Sequence, residues 1–384
     1  MRRTIAVVTT SRADYGHLYW VLRELQQHEN LDLRLIVTGA HLADEFGSAV
    51  HEIEADGFQI EERIECLLSS DSDVGMAKTI GIATLGLADA LGRIRPDLLL
   101  LIADRYEMLA PASVALALRI PIAHIEGGDV SEGAIDDAVR NALTKMSHLH
   151  FTPTEAALNR VLSMGEESWR VYRSGAPSLD HLKRTELLNR EELERKLDVK
   201  IDPSSVLVAY HPVTVARDSL RESEALFVGL EMVKRPVLFC FPNADAGSRA
   251  LIRRAERYCK ENASARIFVN LNPLHYWSLL QCVAVMVGNS SSGIMETPSL
   301  ELPCINVGIR QRGREMAANI IDVPPQAEAI RNAVEQATGQ LFREGLRGMV
   351  NPYGDGTAAK KIVDVLSSCP LGEKLRVKRT IYAS

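Results

Sequence analysis

Residues 124–137 read His124-Ile125-Glu126-Gly127-Gly128-Asp129-Val130-Ser131-Glu132-Gly133-Ala134-Ile135-Asp136-Asp137, an apolar run that opens into a loop with five carboxylates and one imidazole. Like charges gathered at the end of a buried strand repel one another and lose solvation. That raises the pKa of at least one of them and suits it to proton transfer. The competing reading is a solvated loop leading into a helix N-terminus, where the dipole favours acids, and Glu132 and Asp137 fit it. Glu126 points to function, because the two glycines after it let a ligand approach the backbone.

Two further polar clusters follow apolar runs in the first half: Thr10-Ser11-Arg12-Ala13-Asp14-Tyr15-Gly16 and Ala103-Asp104-Arg105-Tyr106-Glu107. Arg12 reads as a clamp for a phosphate or sugar, or as a surface arginine at a helix start. Asp14 reads as the cap of that helix. Asp104 and Arg105 read as a charged catalytic pair, or as a structural ion pair. In the second half Gly288-Asn289-Ser290-Ser291-Ser292-Gly293-Ile294-Met295-Glu296 has the pattern of a strand, a small-residue turn and a helix start. Its N–H groups and the hydroxyls of Ser290 and Ser291 would hold a diphosphate, unless the serines merely cap a helix. Glu296 would accept hydrogen bonds from a ribose diol. His211-Pro212, Phe241-Pro242-Asn243-Ala244-Asp245 and the arginine-rich run from Arg310 to Arg314 stand at strand ends of the same half.

Positioning these clusters requires strands ending at one edge. Short apolar runs alternate with segments of helical period, the pattern of parallel sheets covered by helices on both faces. The runs are Thr4–Thr9, Leu33–Thr38, Asp97–Ile102, Ile120–Ile125, Leu149–Thr152 and Arg170–Gly175. After a polar, helical stretch over 182–200 and a linker at Asp202-Pro203-Ser204-Ser205 come Val206–Tyr210, Val237–Phe241, Arg266–Val269, Ala284–Val287, Pro303–Val307 and Asn319–Val323. The fold class is α/β, with two Rossmann-like doubly wound domains facing a cleft. Residues 1–180 form the first and 181–364 the second, and a C-terminal helix over 365–384 packs back on the first.

The 384 residues are 46% hydrophobic and 24% charged with a net charge of −6, and the basic residues are scattered, which argues against nucleic acid and anionic membranes as partners. No apolar run reaches membrane-spanning length and the N-terminus lacks a signal peptide, so a cytoplasmic location is expected. The six cysteines lack metal-type spacing and read as buried free thiols, and neither a dinucleotide fingerprint nor a P-loop is present, so neither metal nor nicotinamide is expected.

In order and together, Ser11-Arg12-Ala13-Asp14-Tyr15-Gly16, Gly39-Ala40-His41-Leu42, Asp104-Arg105-Tyr106-Glu107, His124-Ile125-Glu126-Gly127-Gly128, Ile135-Asp136-Asp137, His211-Pro212, Phe241-Pro242-Asn243, Gly288-Asn289-Ser290-Ser291-Ser292-Gly293 and Arg310-Gln311-Arg312-Gly313-Arg314-Glu315 resemble the hydrolysing UDP-N-acetylglucosamine 2-epimerases of sialic-acid biosynthesis, over nearly the whole chain. The resemblance implies a glycosyltransferase-B-like fold and conversion of UDP-N-acetylglucosamine to UDP and free N-acetylmannosamine without any cofactor. It places catalysis on Asp104, Glu126, Asp136 and His211. Substrate contacts fall on Arg12, His41, Arg105, Asn243, Ser290, Ser291, Glu296 and Arg310. A nucleotide sugar is the implied small-molecule partner, and a homodimer or homotetramer the expected assembly. The chain departs from the family's strings at Ala103, where relatives have Gly, at Asp129 for Glu and at Asn141 for His, changes that bear on the sugar more than on the reaction. A nucleotide-linked N,N'-diacetylbacillosamine is therefore the alternative substrate. A base would take the C2 proton while the diphosphate leaves C1, and water would then add across the glycal. The rivals are a glycosyltransferase, which leaves C2 untouched, a non-hydrolysing epimerase and a catalytically silent sensor.

Overall fold

The computed structural model describes residues 2–43, 50–68, 72–131, 135–211, 219–241, 249–269 and 271–381, with side chains of the helices that start at 219 and 249 described from 223 and 251 onward. The chain divides into two compact units. The first comprises Met1–Asp129, Ala134–His181 and Tyr353–Ser384, and the second Val130–Gly133 and Leu182–Pro352.

In the first unit the strands are β1 (Arg3–Thr9), β2 (Leu31–Thr38), β3 (Ile60–Ile64), β4 (Leu98–Ile102), β5 (Ile122–Ile125), β6 (Leu149–Thr152) and β7 (Val171–Arg173), in sheet order β3-β2-β1-β4-β5-β6-β7. In the second they are β8 (Val206–Ala209), β9 (Val237–Phe241), β10 (Arg266–Val269), β11 (Val285–Gly288), β12 (Cys304–Val307) and β13 (Ile320–Val323), in order β10-β9-β8-β11-β12-β13. Every pairing is parallel. Central strands such as Leu98-Leu99-Leu100-Leu101-Ile102 are buried throughout because helices cover both faces, so their sequence is continuously apolar rather than alternating. Both orders reverse direction at one place, between β1 and β4 and between β8 and β11. Loops there diverge to opposite faces and leave an open crevice at the carboxyl ends.

Several expectations are corrected. β3 was not anticipated: at the sheet edge its Glu61, Glu62 and Arg63 stay in contact with water, so the apolar signal is absent. The stretch 182–200 is broken into Leu179–Arg184 and Arg190–Leu197, the latter started by an Asn189–Glu192 capping box. Asp202–Ser205 is no interdomain linker. It is a turn inside the second unit, closed by Ser205 N–H donating to the Asp202 carbonyl at 2.9 Å, and Leu193 and Ile201 on its N-terminal side are core residues of that unit. The chain returns to the first unit at Tyr353 rather than at 365, and its helix, Ala358–Ser368, packs on Arg12–Gln27. One described helix, Asp73–Ile94, is long and apolar enough by length and composition to cross a bilayer, but Lys78 and Asp89 interrupt its apolar run, and its Thr79, Ala83, Leu87, Ala90 and Leu91 are buried in the first unit. All six cysteines are free, five of them buried.

Candidate active site

At the first crevice, Ser11 caps the Arg12–Gln27 helix by accepting from Asp14 N–H, so the expected cap role of Asp14 passes to Ser11. The Asp14 carboxylate instead accepts from Thr10 N–H at 3.1 Å and Thr10 Oγ1 at 2.5 Å, and burial raises its pKa above the ordinary carboxylate value. Arg12 sits beyond it, exposed, with Nη2 2.7 Å from Glu52. His41 is fully buried, 2.9 Å from Thr9 Oγ1. Burial first, then the positive charges of Arg105 and Arg12, lower its pKa to about 4, so it is neutral at pH 7.

Asp104 and Arg105 do not pair with each other. The Asp104 carboxylate is gripped by the buried Arg140, while Arg105 donates to the buried Glu107 at 2.6 Å. Arg140 lies one helical turn after Asp136 on the Ile135–Met146 helix, so the i, i+4 spacing puts the two on one face. Glu126 directly follows β5, whose last residue, Ile125, is in register with Ile102 of β4, the strand that leads to Asp104. Asp104, Glu126 and Asp136 are thereby collected at one end of one sheet.

Both acid-bearing turns carry strained backbone. Ala103 (φ 58°) and Glu126 (φ 63°) occupy the left-handed region, which costs a residue with a Cβ roughly 1–2 kcal/mol. Hydrogen bonds hold the conformations: Ala103 N–H donates to Ile125 O at 3.0 Å, Glu126 N–H to Phe151 O at 2.8 Å, and the buried His124 Nε2 lies 2.8 Å from the Ala103 carbonyl. A glycine at position 103 would fit this φ without cost. The Glu126 side chain, nearly buried, meets His17 Nδ1 at 3.0 Å. Sequence reasoning passed over His17 because it lies one residue beyond the cluster ending at Gly16.

In the second unit Asn289, 1% exposed, holds the backbone of His211 with two bonds: His211 N–H donates to Oδ1 at 2.7 Å and Nδ2 donates to the His211 carbonyl at 2.8 Å. Arg310 Nη1 and Gln311 Nε2 both donate to the Asn289 carbonyl at 2.8 Å. Gly288 permits this close crossing, since a Cβ there would lie 1.9 Å from the Ala209 carbonyl oxygen. Glu296 Oε2 accepts from Ser292 Oγ at 2.6 Å and Trp277 Nε1 at 3.1 Å, and Tyr276 donates to Ser292 in turn. Ser290 and Ser291 are half-buried beside it, but the helix that follows is a single turn, Ser292–Met295, so its dipole is small and the hydroxyls and Arg310 carry what anion affinity the loop has. Asn289, Trp277 and Arg140 were not singled out from sequence; a polar residue at a strand end is the signal that could have found Asn289. Asn243 lies outside the described residues.

Two parallel three-layer units, each with a polar cluster at its switch point, define a glycosyltransferase-B-like fold. The chain belongs to the UDP-N-acetylglucosamine 2-epimerase family, whose profile matches residues 23–367. It is 37% identical over 346 residues, 89% of each chain, to the Campylobacter jejuni GDP/UDP-N,N'-diacetylbacillosamine 2-epimerase (hydrolysing). Over 386 residues, 100% of each chain, it is 36% identical to the Legionella pneumophila UDP-N,N'-diacetylbacillosamine 2-epimerase (hydrolysing). The fold matches that of the Methanocaldococcus jannaschii UDP-GlcNAc 2-epimerase solved with UDP-GlcNAc and UDP, at TM-score 0.76 and 21% identity over 96% of this chain and 99% of that one.

Proposed function

We propose that this protein is a hydrolysing 2-epimerase whose substrate is a nucleotide-linked N,N'-diacetylbacillosamine, replacing the expected UDP-N-acetylglucosamine. The carrying observation is identity above a third, across most or all of both chains, to two relatives named for that activity. A Neisseria meningitidis relative named UDP-N-acetylglucosamine 2-epimerase is 31% identical over 339 residues, which keeps that sugar as the comparison substrate.

The reaction is an elimination followed by a hydration. A carboxylate among Asp104, Glu126 and Asp136 takes the C2 proton, the C1–O bond to the diphosphate breaks, and a 2-acetamido glycal and the nucleoside diphosphate result. Water then adds its oxygen to C1 while C2 receives a proton on the opposite face, giving the free epimerised sugar. Three acids at one sheet end suit the two proton transfers, and the Arg140 grip fixes the position of the Asp104 side chain. Leaving-group charge would be stabilised by His211, Ser290, Ser291 and Arg310, with Glu296 on the ribose and Arg12, His41 and Arg105 toward the sugar.

Incubation of both nucleotide sugars in heavy water, followed by NMR, tests the reading. Deuterium at C2 of a released, inverted diacetamido sugar is the expected result, with slower turnover of UDP-N-acetylglucosamine. A new glycoside, or release without C2 exchange, would overturn it.

A further inference from the structure

The Ile135–Met146 helix, which carries Asp136 and Arg140, is held at its far end by a side chain more than two hundred residues away in sequence. The carbonyls of a helix's last turn have no partner within the helix. Lys378 supplies one: its ammonium donates to the Lys145 carbonyl at 2.9 Å and, just past the helix end, to the Ser147 carbonyl at 2.5 Å. A cation there also opposes the negative end of the helix dipole. The same ammonium lies 2.8 Å from the buried carboxylate of Glu166, which accepts from Lys145 Nζ at 2.6 Å and meets His150 Nε2 at 3.1 Å.

The segment bearing Lys378 is pinned on both sides of it. Before it, the buried Arg170 donates to the carbonyls of Leu375 and Val377 at 2.8 Å and of Lys374 at 3.2 Å. After it, Arg379 N–H donates to Glu167 at 3.2 Å and Ile381 N–H to the Gly165 carbonyl at 2.9 Å. Gly165 (φ 84°) permits that approach, because a Cβ there would lie 2.8 Å from the Ile381 carbonyl oxygen. The Lys378 side chain is only 20% exposed, so its ammonium is a fixed point rather than a solvated surface charge. From Lys145 back to Asp136 is about 14 Å of helix, stiff enough that a shift at one end is carried to the other. At that other end stand Asp136 and, one turn on, the Arg140 that grips Asp104, so two of the three proposed acids depend on where this helix lies. We propose that Lys378 is a positioning residue of the candidate active site, fixing the last turn of the Ile135–Met146 helix so that Asp136 and the Arg140-held Asp104 keep their places. The inference rests on the reading of those acids as the proton-transfer groups of a 2-epimerase.

Steady-state kinetics of the full chain, with urea titration to confirm folding, measures it. Lys378→Met keeps the length of the side chain and removes the donor. Its kcat should fall at least about tenfold while KM changes less than about twofold, since the helix carries no residue assigned to the nucleotide. Lys378→Arg, whose guanidinium can donate to both carbonyls, should regain most of the loss. Lys378→Gln keeps one amide donor, should fall between the two, and carries the same test if Lys378→Met does not fold. Asp180→Ala loosens the same unit elsewhere and should leave kcat near that of the wild type. Wild-type kcat without Lys378, no recovery in Lys378→Arg, or an equal fall in Asp180→Ala would each overturn the positioning role. Exchange at C2 in heavy water by the wild type separates this role from the reaction. Exchange beside an indifferent Lys378→Met overturns the role alone, whereas absent exchange overturns the epimerase reading and the role with it.

Discussion

At the scale of single residues, the site is a set of charges whose partners decide what each can do. Replacing Asp104 or Asp136 by Asn, or Glu126 by Gln, removes a proposed proton-transfer group at nearly constant volume. Each should lower turnover roughly a hundred- to ten-thousand-fold with folding intact by circular dichroism; near wild-type rates in all three would remove these acids from the mechanism. His17 touches Glu126 directly, so His17→Leu should leave the nearly buried carboxylate without that bond and reduce kcat more than it changes KM, read from steady-state kinetics. Ala103→Gly relieves the left-handed strain and should raise stability by up to about 1 kcal/mol in urea titration.

Among the elements, the joins between strand and loop matter more than the strands. Gly288 lets β11 pass the Ala209 carbonyl, and any side chain there collides with backbone that cannot yield. The return helix, Ala358–Ser368, is held at its start by Asp180, which is fully buried and accepts from Ala358 and Ala359 N–H at 2.8 and 3.1 Å. Asp180→Ala leaves those donors buried without a partner and should cost about 1–3 kcal/mol, measured as a lower denaturant midpoint at unchanged slope. Farther on, Arg170, also fully buried, donates to the carbonyls of Leu375, Lys374 and Val377, fastening the chain's end to the first unit.

Across the molecule, buried titratable groups set the response to acid. Burial, as the leading cause, holds His41, His124, His148 and His181 near a pKa of about 4. Each binds a proton in the unfolded chain near 6.5 but not in the folded one, so stability is complete above pH 6.5 and falls as pH drops toward 4. Glu166 works in the next window. Burial pushes its pKa up, but hydrogen bonds from His150, Lys145 and Lys378 outweigh that and hold it at about 2, so its contribution persists above 4.5 and is lost as pH falls to 2. The melting temperature should therefore be level near neutrality and decline continuously from pH 6.5. A flat profile down to pH 4 would contradict the burial of these histidines.

The sequence by itself determined the tandem parallel α/β architecture and the family, because continuously apolar strands and the strings at their ends are local patterns. It also located the polar clusters at the strand ends, since strand ends are where such runs stop. What only tertiary structure decided is which group touches which. Asp104 is adjacent in sequence to Arg105 yet pairs with Arg140, thirty-six residues away, because the helix after β5 packs against the turn that follows β4. His17 reaches Glu126, and Asn289 reaches His211, through strand order that no local period encodes. β3 escaped notice for the same reason: its identity as a strand rests on a neighbour, β2, rather than on its own charged residues.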